Sequence, residues 1–590
     1  MSGPEHARVA AAAGLRSAGS EERATERRGK PSPQGDLSRR AERGSEHGRV
    51  AAAAGPRRAG SEERVTERRG KPSPQGDLSR RAQRGNEHGI VVVGNGMAGS
   101  RLVTEIRTRD PKVPLTVFGA EARQPYNRVL LSNVLAGATK ADHIGLVDDA
   151  WYGTHDVDVR RGVEVTRIDR AAKVVYASDG TATPYDTLVI ATGSTAFVPP
   201  IPVVAADGSP RGSVADRPPY GVIAFRTLDD CRDILEAAHG AWNAVVIGGG
   251  LLGIEAARGL VGRGLSVTVL HLAGHLMDRQ LDPEAGKVLA RTLSRLGIRA
   301  RLEARTAALR TDNGVSGACS SGVGPAADRV TGAELADGEV LPADVVVLAC
   351  GVRSEVGLAR AAGLAIDRGI LVDETLTSVT DPSIRAIGEC SQYGDTVYGL
   401  VAPAWEQAAV LADLLTGTDT GARYTGSRQV TRLKAASVEL AAMGETHHDP
   451  FDEDVEILQF ADAARGTYKK VIIRGGRLIG AILLGETSTA GTLTQLYDRA
   501  APLPSDRLSL LFQSVGGPAV SDSPVRMPDA ATVCHCNNVS KGKIRACWQQ
   551  GARTVDAVAV QTRAGTGCGS CRDALEGIVN WLDEQESVDA

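Results

Sequence analysis

The sequence predicts an α/β protein of several domains, and three observations support that prediction. The chain has 590 residues, too many for one hydrophobic core, because domains typically hold about 100 to 200 residues. A Gly-rich turn of the form G-x-G-x-x-G occurs twice, each time between a β-branched stretch and an amphipathic stretch. Five of the nine cysteines follow residue 530, four of them in a C-x-C and a C-x-x-C pair. We therefore expect two α/β units and a separate cysteine-bearing domain.

Residues 1–87 are predicted to form a disordered tail. A segment that starts at Glu5 recurs almost letter for letter from Glu46, a period of 41 residues, and a third copy begins at Glu87. The tail has no aromatic residue and carries 19 Lys and Arg against 12 Asp and Glu, a net +7 that leaves −10 on residues 88–590. It cannot bury enough apolar surface to offset chain entropy. Without aromatic side chains for stacking, it is not expected to bind nucleic acid.

The first strand, turn and helix are predicted in HGIVVVGNGMAGSRLVTEI, from His88 onward. Gly94 allows the tight turn, Gly96 lets the backbone approach a pyrophosphate, and Gly99 lets helix and strand pack closely. The helix N-terminus offers unpaired N–H groups to the anion. The next strand, LTVFGAE, ends in Glu121, which can accept a hydrogen bond from an adenosine ribose hydroxyl. This unit is predicted to bind a dinucleotide.

A second unit of the same kind is predicted in AVVIGGGLLGIEAARGLVGRGLSVTVLHL, where Gly248, Gly250 and Gly253 have the same roles. Two units imply two dinucleotides. Further strand ends in YDTLVIATGS and IRAIGECS are expected to turn beside a bound cofactor. They contribute Ala191, Thr192, Gly193, Gly388 and Glu389.

The terminal cysteines are predicted to hold a metal centre. Between the two pairs, SKGKIRACWQQG predicts a helix with Ser540 as its N-cap and Gly551 just past its end. Four thiolates suit either tetrahedral zinc or an iron–sulfur cluster. The tight C-x-C favours the cluster, because structural zinc pairs are usually C-x2–4-C; zinc and free thiols stay open as alternatives. Cys547, inside the helix, is expected to pack in the core. The predicted ligands are Cys534, Cys536, Cys568 and Cys571.

The order of these motifs resembles that of the flavin-dependent pyridine-nucleotide oxidoreductases. PYNRVLLSNVLAG, HLMDRQLD, YGLVAPAWEQA and RLIGAILLGET are most similar to the flavoprotein part of assimilatory NAD(P)H nitrite reductase large subunits and to the electron-transfer subunits of assimilatory nitrate reductases. The likeness covers about residues 88–585. The terminal spacing resembles the small 2Fe–2S domain of the bacterioferritin-associated-ferredoxin (BFD) type.

The resemblance implies a fold of two Rossmann-like dinucleotide-binding domains, with the NAD(P)H domain inserted in the FAD domain. An α+β interface domain and a small helical iron–sulfur domain follow. The implied boundaries are 1–87 for the disordered repeat tail, 88–225 and 343–420 for the two FAD-binding parts, 226–342 for the NAD(P)H-binding domain, 425–515 for the interface domain, 516–530 for a linker and 531–590 for the BFD-like domain.

The resemblance also assigns roles to single residues. It implies that Arg128 contacts the FAD phosphates, that Glu389 holds the ribityl chain and that Glu255 lies near the nicotinamide. His271 stands where an NAD-specific fold commonly has an acid, and no Arg follows it at once. The choice between NADH and NADPH therefore stays open.

The predicted mechanism is electron transfer rather than thiol chemistry. Residues 90–193 contain no cysteine, so a disulfide-reducing mechanism has no nucleophile beside the flavin. We expect electrons to pass from NAD(P)H through FAD to the 2Fe–2S cluster and then to a partner. The resemblance implies that this partner is a molybdenum-containing nitrate reductase catalytic subunit. The alternatives are a flavoprotein that serves a separate sirohaem nitrite reductase protein, and a binding protein whose cluster senses redox state.

The sequence also indicates where the protein works. No apolar run reaches the roughly 18 to 20 residues that span a bilayer, and the scattered, odd number of cysteines is unlike a secreted disulfide framework. No signal peptide is evident at the start. We expect a cytoplasmic protein that makes no membrane contact, and a homodimer is compatible with the sequence.

Overall fold

The protein is described from a computed structural model. The described residues are 89–312, 328–435, 438–449, 451–512, 527–534, 539–565 and 571–589. The predicted tail, residues 313–327 and most of the predicted linker lie outside these residues. Within the described part of the chain, no helix is long and apolar enough to cross a membrane.

Thirty strands and twelve α-helices make up the described chain. The strands are β1 Ile90–Val93, β2 Leu115–Gly119, β3 Asp158–Arg161, β4 Val165–Asp169, β5 Val174–Ala177, β6 Ala182–Pro184, β7 Thr187–Ile190, β8 Ser194–Ala196, β9 Pro202–Ala205, β10 Pro210–Ser213, β11 Val222–Ala224, β12 Asn243–Ile247, β13 Ser266–Leu270, β14 Ile298–Arg301, β15 Thr306–Thr311, β16 Val330–Leu335, β17 Val340–Pro342, β18 Val345–Leu348, β19 Val352–Ser354, β20 Ile370–Val372, β21 Thr377–Ser378, β22 Asp381–Ala386, β23 Ser391–Tyr393, β24 Val430–Ala435, β25 Val438–Gly444, β26 Glu456–Asp462, β27 Thr467–Arg474, β28 Arg477–Leu484, β29 Thr532–Cys534 and β30 Val539–Ser540. The helices are α1 Met97–Arg109, α2 Leu131–Leu135, α3 Asp149–Thr154, α4 Leu228–Ala238, α5 Leu251–Val261, α6 Pro283–Arg295, α7 Gly357–Ala361, α8 Val401–Thr416, α9 Ala490–Arg499, α10 Lys541–Gln549, α11 Val555–Thr562 and α12 Arg572–Asp589.

The first unit is built on an eight-stranded sheet in the order β23-β20-β21-β22-β7-β1-β2-β3. Its central strands β7, β1 and β2 run parallel. All four residues of β1 are buried, as expected for a parallel strand that is covered on both faces. The predicted strand, turn and helix are confirmed by β1 and α1, and α1 packs against α8. The carboxyl ends of β1, β2, β7 and β22 therefore meet at one edge.

The second unit lies between the two halves of the first. Its parallel sheet has the order β11-β18-β12-β13-β14, and a second five-stranded sheet, β10-β9-β15-β16-β17, accompanies it. In the first of these sheets β18 lies between β11 and β12, parallel to both. The predicted boundaries at 225/226 and 342/343 therefore separate β11 and β18 from the sheet to which their hydrogen bonds assign them. Local sequence pattern does not show which sheet a buried apolar strand joins.

The third and fourth units follow in chain order. An antiparallel sheet, β24-β25-β28-β27-β26, packs with α9 around its own core. The last unit has the short pair β29 and β30 with α10, α11 and α12. Here the predicted cap is confirmed, because Ser540 Oγ accepts the Lys543 N–H at 3.3 Å and Gly551 has a φ of 105°. Cys547 is buried with Trp548 in this core, as predicted.

A buried cluster around Asp282 ties the second unit to the third. Asp282 is the N-cap of α6 and accepts the Ala285 N–H at 2.9 Å. It also accepts the Tyr468 hydroxyl at 2.6 Å and Lys470 Nζ at 3.0 Å, both from β27. The side chains of Asp282 and Lys470 are only 9% and 3% exposed. A desolvated ion pair thus joins the two units.

We expect Asp282→Ala to lower the free energy of unfolding by about 3 to 5 kcal/mol, because it leaves the buried Lys470 ammonium without its carboxylate. Chemical denaturation followed by tryptophan fluorescence measures the change. Glu339→Ala is the control, since Glu339 pairs with Arg301 on the surface, where the two side chains are 43% and 46% exposed. That variant should change stability by less than about 1 kcal/mol. Equal losses in the two variants would contradict the role given to the buried pair.

Candidate functional site

A cavity of about 1380 Å³ opens at the edge where the carboxyl ends of the first unit's strands meet. The structure brings ten of the predicted site residues to its wall. They are Gly94, Gly96, Glu121, Arg128, Ala191, Thr192, Gly193, Glu255, Gly388 and Glu389. Nine of them come from the first unit, and Glu255 comes from α5 of the second. The cavity therefore lies where the two units meet.

The first glycine turn is shaped by two backbone approaches that leave no room for a side chain. Gly94 has a φ of 114°, and a Cβ there would lie 2.1 Å from the Ala191 carbonyl oxygen. A Cβ on Gly99 would lie 1.8 Å from the Gly94 oxygen. A Cβ on Gly96, in contrast, would meet nothing within 4 Å. The N-terminus of α1 thus faces open space in the cavity, as an anion-binding turn requires.

The second glycine turn repeats this geometry. Gly248 has a φ of 118°, and a Cβ there would lie 2.2 Å from the Ala349 oxygen. A Cβ on Gly253 would lie 1.9 Å from the Gly248 oxygen, and one on Gly250 would meet nothing within 4 Å. These three glycines do not line the large cavity; they form a separate turn at the N-terminus of α5. The chain thus holds two turns of the same design.

The acid at the end of the second strand is held by two donors. Glu121 forms an ion pair with Arg128 and accepts the Tyr126 hydroxyl at 2.8 Å. Burial raises the pKa of Tyr126 to about 12, so its hydroxyl stays a donor at neutral pH. Arg128 also donates to the Arg226 carbonyl oxygen at 3.1 Å. A carboxylate and a guanidinium are therefore fixed together in the cavity wall.

Glu389 is held by a residue that sequence reasoning missed. Arg226 forms an ion pair with Glu389 and donates to Ser194 Oγ at 2.6 Å, while Ser194 Oγ donates to Glu389 Oε2 at 2.6 Å. Arg226 stands just before Thr227, the N-cap of α4, and a lone arginine before a helix gives no signal in a sequence. Arg226, from the start of α4 in the second unit, thus adds a cation to the cavity of the first.

Two buried donors in the cavity wall show what kind of group the cavity fits. Among the described residues, Asn95 Nδ2 and Trp405 Nε1 have no hydrogen-bond partner, and both residues line the cavity. An unpaired buried donor costs about 1 to 3 kcal/mol. FAD carries acceptor oxygens on its phosphates, ribityl chain and ring. With the open glycine turn, these donors make the residues present a fit for FAD.

The third and fourth units also reach the cavity. Arg428 and Arg432 contribute from the third unit, and Ala531 and Thr532 from the fourth. Thr532 is the first residue of β29, and Cys534 is the last. Sequence reasoning missed all four, because they are far along the chain from the glycine turn. The cysteine-bearing unit thus touches the cavity through the strand that carries its first cysteine.

Two of the four predicted metal ligands are described, and they share a core. Cys534 is 2% exposed and Cys571 is 6% exposed, and both belong to the apolar cluster of the fourth unit. The Gly565 N–H donates to Cys571 Sγ at 3.1 Å, a contact that tunes sulfur ligands of iron. Cys536 and Cys568 lie outside the described residues. Where the chain is described, no group of three metal-binding side chains occurs, so the four-cysteine site stays a prediction.

The described cysteines of the first two units are poor nucleophiles. Burial raises the pKa of Cys231 and of Cys350 to about 11, and it also raises the pKa of the fully buried Cys390. A thiol in this state is not the reactive form. Cys231 and Cys390 are buried and Cys350 is partly buried, in agreement with a mechanism that uses no thiol.

Three family models match the chain. Residues 88–408 match the pyridine nucleotide-disulphide oxidoreductase model. Residues 430–500 match the C-terminal domain of rubredoxin NAD+ reductase, and residues 532–581 match the BFD-like [2Fe-2S] binding domain. The predicted C-terminal 2Fe–2S domain is confirmed by the last match.

Two curated relatives come from Bacillus subtilis (strain 168). The chain is 36% identical to its nitrite reductase [NAD(P)H], over 83% of this chain and 57% of the relative. It is 33% identical to its assimilatory nitrate reductase electron transfer subunit, over 84% of this chain and 60% of the relative. The chain thus spans less than two thirds of the length of these relatives, and the predicted resemblance is confirmed.

Solved structures share the architecture. A ferredoxin reductase from Rhodopseudomonas palustris matches with a TM-score of 0.60 and 25% identity, over 71% of this chain and 96% of that one. An NAD-dependent persulfide reductase from A. fulgidus matches with a TM-score of 0.58 and 26% identity, over 70% and 76%. The predicted fold class is confirmed, and the matches support FAD, NAD(P)H and a 2Fe–2S cluster as cofactors. Since one family model covers more than half of its residues, the chain belongs to the pyridine nucleotide-disulphide oxidoreductase family.

Proposed function

We propose that the chain carries electrons from NAD(P)H through FAD to its 2Fe–2S cluster, and from there to a nitrate reductase catalytic subunit in nitrate assimilation. One observation supports the path above all others. The wall of a single cavity includes Leu252 and Glu255 from the second unit and Thr532 from the fourth. The nucleotide-binding unit and the cysteine-bearing unit therefore both meet the proposed flavin site.

The residues of the cavity have distinct parts in this proposal. Gly94, Gly96 and Gly99 open the turn to a pyrophosphate, and the ion-paired Glu121 and Arg128 offer an acceptor for ribose and a donor for phosphate. Glu389, held by Arg226, offers acceptors to the ribityl chain, and Glu255 stands on the side of the second unit, where a nicotinamide would enter. FAD, when bound, takes an electron pair from a nicotinamide and releases the electrons one at a time.

The second glycine turn is proposed to bind NAD(P)H through Gly248, Gly250 and Gly253. The four cysteines Cys534, Cys536, Cys568 and Cys571 are proposed to hold the cluster. These assignments need no acid–base residue, because the cofactors supply the reactive groups and the protein supplies position.

The acceptor is proposed from the names of two relatives. The name of one, an assimilatory nitrate reductase electron transfer subunit, supports delivery to a nitrate reductase, for which we propose a separate molybdenum-containing catalytic subunit. The name of the other, a nitrite reductase, supports the second candidate, for which we propose a sirohaem nitrite reductase protein as the acceptor. With either acceptor, we expect a cytoplasmic protein. Reconstitution of the purified chain with each acceptor separates the two candidates.

We expect anaerobic addition of NADH or NADPH to bleach the flavin absorbance first and the cluster absorbance afterwards, because the cavity lies between the two units that bind the donor and the cluster. Stopped-flow absorbance and electron paramagnetic resonance follow the two steps. A cluster that stays oxidised beside a fully reduced flavin would contradict the proposed path.

Cys571→Ser tests the cluster separately from the flavin. The variant should lose iron and acid-labile sulfide and should still bleach its flavin, because Cys571 lies in the fourth unit. Cys547→Ser is the matched control: Cys547 is a buried cysteine in the same core and is not a proposed ligand. It should keep its iron. Normal iron content in Cys571→Ser would remove that residue from the ligand set.

Gly99→Ala tests the flavin-binding turn. The added Cβ would lie 1.8 Å from the Gly94 oxygen, so α1 must move away from β1, and we expect protein purified with little FAD. Gly577→Ala is the control, because Gly577 is also in a helix, α12, and a Cβ there meets nothing within 4 Å. That variant should keep its FAD and gain up to about 1 kcal/mol from helix propensity. The ratio of flavin to protein absorbance decides the comparison.

A further inference from the structure

The second strand of the nucleotide-binding unit ends in an arrangement of His271 and Asp278 that the proposed function does not yet use. In dinucleotide-binding folds, the residue about 20 positions past the glycine turn meets the ribose hydroxyls. His271 is 21 residues past Gly250 and directly follows β13. We propose that this unit selects NADH over NADPH, with His271 holding Asp278 as the acid that meets the ribose. The inference rests on the proposed function, in which this unit binds NAD(P)H.

The hydrogen bonds of His271 indicate which of its ring nitrogens carries a proton. Nδ1 lies 3.2 Å from the Gly249 nitrogen, which donates to it. A backbone N–H is only a donor, so Nδ1 carries no proton and the ring proton is on Nε2. Nε2 lies 3.1 Å from Asp278 Oδ1 and donates to that carboxylate. His271 is therefore held between the glycine turn and Asp278, with Nδ1 as an acceptor and Nε2 as a donor.

The loop that carries Asp278 is anchored on the glycine turn. The Met277 N–H donates to the Gly249 oxygen at 2.9 Å. A Cβ on Gly249 would lie 2.5 Å from Leu276 Cδ2, so the loop packs closely over the turn. From the third unit, His447 Nε2 lies 2.8 Å from the Asp278 carbonyl oxygen. The backbone at Asp278 is thus anchored from both sides, while its side chain stays 42% exposed.

The negative charge of Asp278 at this strand end favours NADH over NADPH. A ribose hydroxyl can donate to the Asp278 carboxylate, as it does to the acid that NAD-binding folds have at the position of His271. A 2′-phosphate would instead bring an anion against that carboxylate, and like charges brought together cost several kcal/mol. Of the nearby cations, Arg301 is paired with Glu339, and Arg279 is exposed. If the unit preferred NADPH instead, Arg279 would be the cation that attracts the 2′-phosphate.

The test measures the binding of nucleotide fragments rather than catalytic turnover. The full chain, loaded with FAD so that the first unit is occupied, is titrated calorimetrically with 5′-AMP and with 2′,5′-ADP, which carry the adenosine halves of NADH and NADPH. We expect 5′-AMP to bind at least about tenfold more tightly, since that ratio needs only about 1.4 kcal/mol. Asp278→Asn keeps an acceptor for His271 and removes the charge, so it should bring the two affinities together. Arg279→Ala should leave the ratio unchanged.

The outcomes are distinct. Tighter binding of 2′,5′-ADP by the unaltered protein, weakened by Arg279→Ala, would overturn the inference and leave the proposed function standing. An unchanged affinity ratio in Asp278→Asn would also overturn it. Failure of both ligands to bind the FAD-loaded protein would overturn the proposed nucleotide site itself, and the inference with it. Because Asp278 is partly exposed, a thermal melt of each variant is expected to match the unaltered protein.

Discussion

Both nucleotide-binding units depend on the same constraint, a carbonyl oxygen that fills the space where a side chain would start. At Gly94 the oxygen belongs to Ala191, and at Gly248 it belongs to Ala349. Each contact joins a turn to the end of a strand that is about 100 residues further along the chain. The turn, the strand end and the helix N-terminus are thus fixed together by backbone atoms, and no side-chain contact is needed to align them.

Because the two glycine turns are fixed in the same way, the residues that differ between the two units lie elsewhere. The glycine turns are alike in the two units, so they do not distinguish one dinucleotide from another. The difference lies one strand further on, where β2 is followed by Glu121 with its ion pair to Arg128 and β13 is followed by His271 with Asp278. In both units an acid reaches the strand end, directly in the first and through a loop and an imidazole in the second. The two strand ends therefore carry an acid in two different local arrangements.

Sequence reasoning predicted the local turns and caps, and it missed the contacts between residues that are far apart in the chain. Both glycine turns, the strands beside them and the Ser540 cap follow from periodicity and turn chemistry within a few residues. The ion pair of Arg226 with Glu389 joins residues 163 positions apart, and that of Lys470 with Asp282 joins residues 188 apart. Nothing in a single sequence shows that such residues meet, because their contact depends on how sheets are ordered. The assignment of β11 and β18 to one sheet was missed for the same reason.

In the proposed path the small terminal unit exchanges electrons with the flavin and with another protein, and its packing is compatible with that path. Its buried apolar side chains form a cluster of their own, so the unit does not depend on the flavin-binding units for its core. It reaches the cavity through Ala531 and Thr532. Since a strand advances about 3.3 Å per residue, the backbone of Cys534 lies within about 7 Å of Thr532 along β29. The contact of Ala531 and Thr532 with the cavity thus places a proposed sulfur ligand, Cys534, close to the proposed flavin site.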